Sequence, residues 1–178
     1  YAVRLKAPAD NTTTLDSFAH ADYRGAKYYI SADDTINGHI SNIECLVVHD
    51  GTNAYISSFN ENNSHNSLAT FTADISGSNL RLLATPTTAD VKLKFYRIRL
   101  ADNESNATGT DANTVGAVTI SSSATALDTF NDTQHTGAHY VIVGRNASEG
   151  TAEITEATVL TDGADAFVAQ ANFVSSKA

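Results

Sequence analysis

The side chains able to do acid–base, metal or nucleophilic chemistry in this chain are six histidines, one cysteine and a few carboxylates. His20, His39, His49, His65, His135 and His139 lack the i, i+4 helical spacing, or the short ribbon spacing with Cys or Glu, on which zinc sites are built. They read as solvated or turn residues. Cys45 stands alone, which excludes an intrachain disulfide and a multi-cysteine metal site and suggests a buried thiol filling apolar space. Asp33 with Asp34, and Asp162 with Asp165, offer oxygens to Ca²⁺, yet their spacing matches no calcium-loop motif. Neither a Gly-x-Ser-x-Gly elbow, a phosphate loop nor a dinucleotide fingerprint occurs. The sequence therefore assigns no catalytic residue, cofactor or metal ligand, and the expectation is a protein without enzymatic activity.

A second pattern separates recurring polar residues from incidental ones. Residues 15–66 align without a gap onto 127–178: Leu15-Asp16-Ser17-Phe18 returns as Leu127-Asp128-Thr129-Phe130, and Gly25-Ala26-Lys27-Tyr28 as Gly137-Ala138-His139-Tyr140. None of the histidines recurs. The polar pairs that do are Asp16/Asp128, Glu44/Glu156, Asp50/Asp162 and Asn60/Asn172. Asp16 lies at a strand entrance and Asp50 in a turn, both structural posts. Glu44 lies on the strand face opposite Cys45 and Val47, where Arg24 or Lys27 is a natural cation for it.

The elements around these residues follow a period of two. In 25–33, Ala26, Tyr28, Ile30 and Ala32 alternate with Lys27, Tyr29, Ser31 and Asp33, and the first set faces a core. Residues 39–49 form a long strand, Asp50-Gly51-Thr52-Asn53 supplies turn chemistry, and 54–59 returns as its hairpin partner. Strands follow at 68–75, 80–85 and 91–100. In the last, Val91, Leu93 and Phe95 give way to Tyr96, Ile98 and Leu100, a phase shift that predicts a β-bulge or bend near Phe95. Six or seven strands without a helical stretch predict an all-β fold, an antiparallel β-sandwich module with Ala26, Tyr28, Ile30, Cys45, Val47, Phe71, Ile75, Leu93 and Phe95 inside.

Residues 13–100 then form a complete module, 101–126 a connector in which 115–120 could add a strand, and 127–178 the front half of a second module whose positions share the burial of the first. Residues 1–12 hold the final strand of a preceding module, because Tyr1-Ala2-Val3-Arg4-Leu5 reads like Tyr96-Arg97-Ile98-Arg99-Leu100. On this reading either more polypeptide flanks the sequence or strands come from a neighbouring subunit, with Tyr1, Val3 and Leu5 as assembly contacts in that neighbour's second module.

Charge limits the partners. Eleven basic against 20 acidic residues give a net charge of −9, which disfavours nucleic acid, and no apolar run is long enough to span a bilayer as a helix.

The strings Leu15-Asp16-Ser17-Phe18, Tyr23-Arg24-Gly25-Ala26-Lys27-Tyr28, Glu44-Cys45-Leu46-Val47-Val48-His49-Asp50-Gly51-Thr52 and Leu68-Ala69-Thr70-Phe71 resemble a repeat module of virion structural proteins from tailed phages of marine bacteria, cyanophages especially. The second copy departs from the string at Thr136, His139 and Thr161, where the first has Arg24, Lys27 and His49. The resemblance implies a virion component such as a tail fibre, neck or capsid appendage, partnered by copies of itself and other virion proteins, and brings no catalytic residues. Two alternatives stand beside it. One is a bacterial surface adhesin or filament subunit assembling by strand exchange; the other is a carbohydrate-binding module for a host-surface glycan, with Tyr29, Tyr55 and Phe59 as a weak aromatic platform in which Tyr55 and Phe59 read equally well as core residues.

Overall fold

The computed structural model describes residues 5–7, 11–88, 90–101, 120 and 123–177. The strands are β1 (Leu5–Ala7), β2 (Thr13–Ala19), β3 (Tyr23–Asp34), β4 (His39–His49), β5 (Ala54–Asn63), β6 (Ala69–Ser76), β7 (Asn79–Pro86), β8 (Val91–Ala101), β9 (Gly137–Asn146), β10 (Thr151–Thr161) and β11 (Ala166–Ser175). Among the described residues there is no helix. The strands form three antiparallel sheets, a central β1-β8-β3-β4-β5 and two outer ones, β2-β7-β6 and β11-β10-β9. The stretch 115–120, apart from Ile120, lies outside the described residues.

Both faces of the central sheet are covered. On one face Tyr28, Ile30, Cys45, Val47, Leu93 and Phe95 pack with Leu15, Phe18, Leu80, Leu82 and Ala84 of β2-β7-β6. This is the expected sandwich, with Phe71 and Ile75 half-buried against its core. On the other face Leu46 and Val48 meet Ala152, Ile154 and Val174 of β11-β10-β9, with Tyr55, Phe59, Leu100, Val141 and Val143 around them. Burial on two sides explains why the second half of β4 reads Cys45-Leu46-Val47-Val48 without a polar break.

The same two-sided burial corrects the expected bulge near Phe95. Strand β8 pairs with β3 in unbroken register from Gly25↔Leu100 through Ile30↔Phe95 to Asp34↔Val91. Val91, Leu93, Phe95, Arg97 and Arg99 all face the β2-β7-β6 side, where Arg97 binds Asp16 and lies over Phe18, and Arg99 lies over Tyr23. Leu100 packs into the second core on the opposite face. The apolar side switches along the strand because the covered face switches.

Bulges occur where the repeat carries Asn60 and Asn172. Between Asn42 and Glu44 the register on β5 advances from Asn62 to Phe59, and between Ile154 and Glu156 the register on β11 advances from Val174 to Ala171. Each bulged strand accommodates its extra residue by an Asn at positive φ, 53° for Asn60 and 54° for Asn172, a conformation Asn tolerates better than most residues. The hairpin turns recur as well: Asp50 Oδ1 accepts the backbone N–H of Thr52 and Asn53, and Asp162 Oδ1 those of Ala164 and Asp165. Gly25 is fixed by a cross-strand carbonyl, since a Cβ there would lie 2.6 Å from Val47 O.

Burial is shared at Cys45 and Ala157 but not throughout the repeats, contrary to the sequence reading. Tyr28 and Tyr140 occupy equivalent register positions, opposite Cys45 and Ala157, and both donate to an aspartate, Asp16 at 2.8 Å and Asp128 at 3.0 Å. Yet Tyr28 is buried and Tyr140 half-buried; Leu15 is 3% exposed and Leu127 50%. The first repeat has β2-β7-β6 over this face, whereas residues 127–131 do not form the strand that 13–19 do.

Tyr1 and Val3 lie outside the described residues. The backbone of Leu5 pairs with Leu93 of β8 in the same chain.

Candidate functional site

The recurring Glu44 and Glu156 come together around one amine. Lys27 extends from β3 into the layer between the central sheet and β11-β10-β9, where its Nζ lies 2.7 Å from Glu44 Oε2 and also binds Glu156 Oε1. The side chains of Lys27 and Glu156 are each 4% exposed and that of Glu44 23%. The two bulge asparagines complete the cluster: Asn60 Nδ2 donates to Glu44 Oε1 at 3.1 Å, and Asn172 Nδ2 to Glu156 Oε2 at 2.6 Å. The Tyr29 and Phe59 rings lie 4.7 and 5.5 Å from the ammonium, and His139 Nε2 is 3.4 Å from Glu156 Oε1. One cation thus clamps two repeats through the same glutamate and asparagine from each. Sequence reading found the recurring pairs and Lys27 as a cation for Glu44. It missed Glu156 as the second partner, 129 residues away along the chain.

Electrostatics suit the clamp for holding rather than reacting. Burial alone would push the Lys27 ammonium toward neutrality, but hydrogen bonds to Glu156, Glu44 and Tyr29 and the charge of Glu156 outweigh it, leaving its pKa above the usual 10.5. Burial likewise disfavours ionised Glu44, and the bonds from Lys27 and Asn60 with the Lys27 charge reverse this and hold it below 4.5. A lysine kept protonated has no lone pair for nucleophilic or base chemistry.

The other candidates are dispersed. His49 is fully buried, which corrects its reading as a solvated or turn histidine. It fills the junction of β3 and β4, its Nε2–H donating to Tyr23 O at 2.9 Å while Arg24 Nη1 donates to Nδ1 at 3.3 Å. His39 and His65 stack with centroids 4.5 Å apart. Asp34 is also buried and serves its own turn: it accepts from Asn37 Nδ2 and N–H, from Ile36 N–H and from Thr88 Oγ1. These bonds, that of the Asn37 side chain first, bring its pKa down to about 2. Among the described residues, no three His, Cys, Asp or Glu side chains form a metal-holding group.

Cys45 is buried with Sγ 3.4 Å from Ser58 Oγ. Burial pushes its thiol up to about 11, against a small opposing pull from Ser58. At pH 8 the folded protein should therefore react with Ellman's reagent at least about one hundredfold more slowly than the urea-unfolded chain, since the thiolate fraction falls by that order before access is counted. Equal rates in the two states would contradict the buried-filler role.

Of the three aromatics weighed as a platform, Tyr55 and Phe59 take their alternative place and pack into the second core. Tyr29 stays open at 38% exposure, beside Tyr96 at 49%. The sequence reading placed Tyr96 on the apolar side of the shifted strand.

No family model matches the chain, and no curated protein matches it in sequence. Among solved structures it is similar to the tailspike protein of Acinetobacter phage vB_ApiP_P1, with 18% identity and a TM-score of 0.42 over 57% of this chain and 22% of the tailspike.

Proposed function

We propose that the chain is a non-enzymatic structural component of a phage virion, of the tail-fibre, neck or capsid-appendage kind, built from stacked β-repeats. The observation carrying the architectural part of this reading is the Lys27 clamp, in which Glu44 and Asn60 of one repeat and Glu156 and Asn172 of the next close on one ammonium. Such residues are spent on joining repeats, and their charged groups face one another in a buried layer rather than standing open for chemistry. The outer sheet supports assembly with further protein: Leu160 and Phe167, paired across β10 and β11, are 55% and 58% exposed, and Val168 on the opposite face 72%. Open apolar side chains on both faces of one sheet suit contact with further copies or other virion proteins.

Immunogold electron microscopy with antibodies to the purified chain tests the reading on particles and cells from its source. Label on protruding appendages of virus particles is expected. Label on bacterial surfaces alone would replace the virion role with the adhesin or filament role, and release of reducing sugars from polysaccharides by the purified chain would overturn the non-enzymatic assignment.

A further inference from the structure

The face of the central sheet that carries Lys27 continues past the clamp into an open cleft of about 830 Å³, within the size range of small-ligand sites. Its floor is set by register. One rank crosses four strands as Tyr96, Tyr29, Glu44 and Phe59, and the next as Lys94, Ser31, Asn42 and Asn62. At the usual strand spacing these ranks extend about 14 Å. The Tyr29 and Tyr96 rings lie 6.2 Å apart at an angle of 37°, forming a tilted apolar shelf at one end. At the other end the amides of Asn42 and Asn62, each both donor and acceptor, line the wall.

The geometry points to this cleft as a binding site for an extended neutral oligosaccharide. Tyrosine rings open to solvent suit the C–H faces of sugar rings, and side-chain amides beside them suit hydroxyl groups, which also donate and accept. Lys27, 2.7 Å from Glu44, is shared with Glu156 and offsets only part of the carboxylate charge, and with Glu61 and Lys94 also on the lining the residual negative charge disfavours an anionic chain. The same ammonium, 4.7 Å from the Tyr29 ring, helps fix that ring's orientation. Tyr29 is replaced by Val141 in the second repeat, where the equivalent face is spent on the second core, so the site belongs to the first repeat alone. It is independent of the architectural role, whose label on particles does not depend on sugar binding.

Saturation-transfer NMR and titration with cellotetraose, maltotetraose, mannotetraose and chitotetraose test it on the full chain. At least one is expected to bind saturably at or below about 10 mM. Tyr96→Ala should weaken that binding about tenfold, while Tyr96→Phe, which keeps the ring, stays within about threefold. Tyr96 is half-exposed, so its substitution leaves the core intact; retained β-sheet circular dichroism confirms this. Asn62→Ala provides a second variant expected to weaken the same sugar. Absence of binding by all four sugars, or binding untouched by Tyr96→Ala and Asn62→Ala, overturns the assignment. Preference for polygalacturonate that is lost in Lys94→Ala overturns the neutral class.

Discussion

Lys27→Met is expected to lower the unfolding free energy by about 3–5 kcal/mol at pH 7, because it leaves Glu44 and Glu156 facing each other in a buried layer without their shared cation. The pH dependence gives the cause away. In the unaltered protein the Lys27 pKa is raised, so its contribution is complete below 10.5 and is lost as the pH rises through the higher folded value. Glu44 is depressed, so its contribution is present above 4.5 and is lost as the pH falls through the lower folded value. Stability from the clamp is therefore flat across neutral pH and falls toward both extremes. In Lys27→Met the slope below neutrality reverses: acid relieves the repulsion of the carboxylate pair, and the loss relative to the unaltered protein shrinks toward pH 4. Adding Glu156→Gln to Lys27→Met should recover part of the loss at pH 7. Urea midpoints measured from pH 3 to 12 check each point, and a loss under about 1 kcal/mol with no change of slope would mean that the clamp is an exposed pair of little weight.

Legibility in the sequence followed the distance over which each physical cause acts. The alternation of Ala26, Tyr28 and Ile30 against Lys27, Tyr29 and Ser31 depends on the neighbouring residues of one strand, so the strand and its inner face could be read directly. The same holds for the Asp50 and Asp162 turns, whose hydrogen bonds close within three residues. Tyr96, Ile98 and Leu100 were read as a change of phase because alternation reports that a face is covered, not which of two layers covers it. Glu44 and Asn60 were legible as recurring residues. Their purpose was not, since it combines a local bulge with a cation shared by a repeat more than one hundred residues away. His49 was misread for the opposite reason: turn chemistry begins at the next residue, Asp50, while His49 itself is closed off by Tyr23 and Arg24 from the preceding strand. The open tyrosine pair was half visible, as Tyr29 without Tyr96, because its other member sits across the sheet on β8.

A charge placed at Ile154 should separate the layers without unfolding the first sandwich. Ile154 is fully buried in the second core with Leu46 and Val48, and its Cδ1 comes close to the backbone at Gly25, 3.5 Å from where a Cβ there would stand. Ile154→Ala removes apolar contact and leaves a cavity, for about 2–5 kcal/mol. Ile154→Arg goes further, since a long charged side chain would have to be buried among Leu46, Val48 and Val174. The opposite face of the central sheet keeps its own core, with Tyr28, Leu80, Leu82 and Leu93 buried against β2-β7-β6, so that half has reason to persist. Undocking strips cover from Leu46 and Val48 and exposes a new apolar face. Hydrogen exchange followed by mass spectrometry should then show amides of β9, β10 and β11 exchanging at least about tenfold faster, while those of β6 and β7 keep their protection. Sedimentation should show increased self-association as the uncovered central sheet seeks a replacement layer. Equal loss of protection in all three sheets would mean that the layers fold as one cooperative unit, and the repeats would then be inseparable parts of a single core.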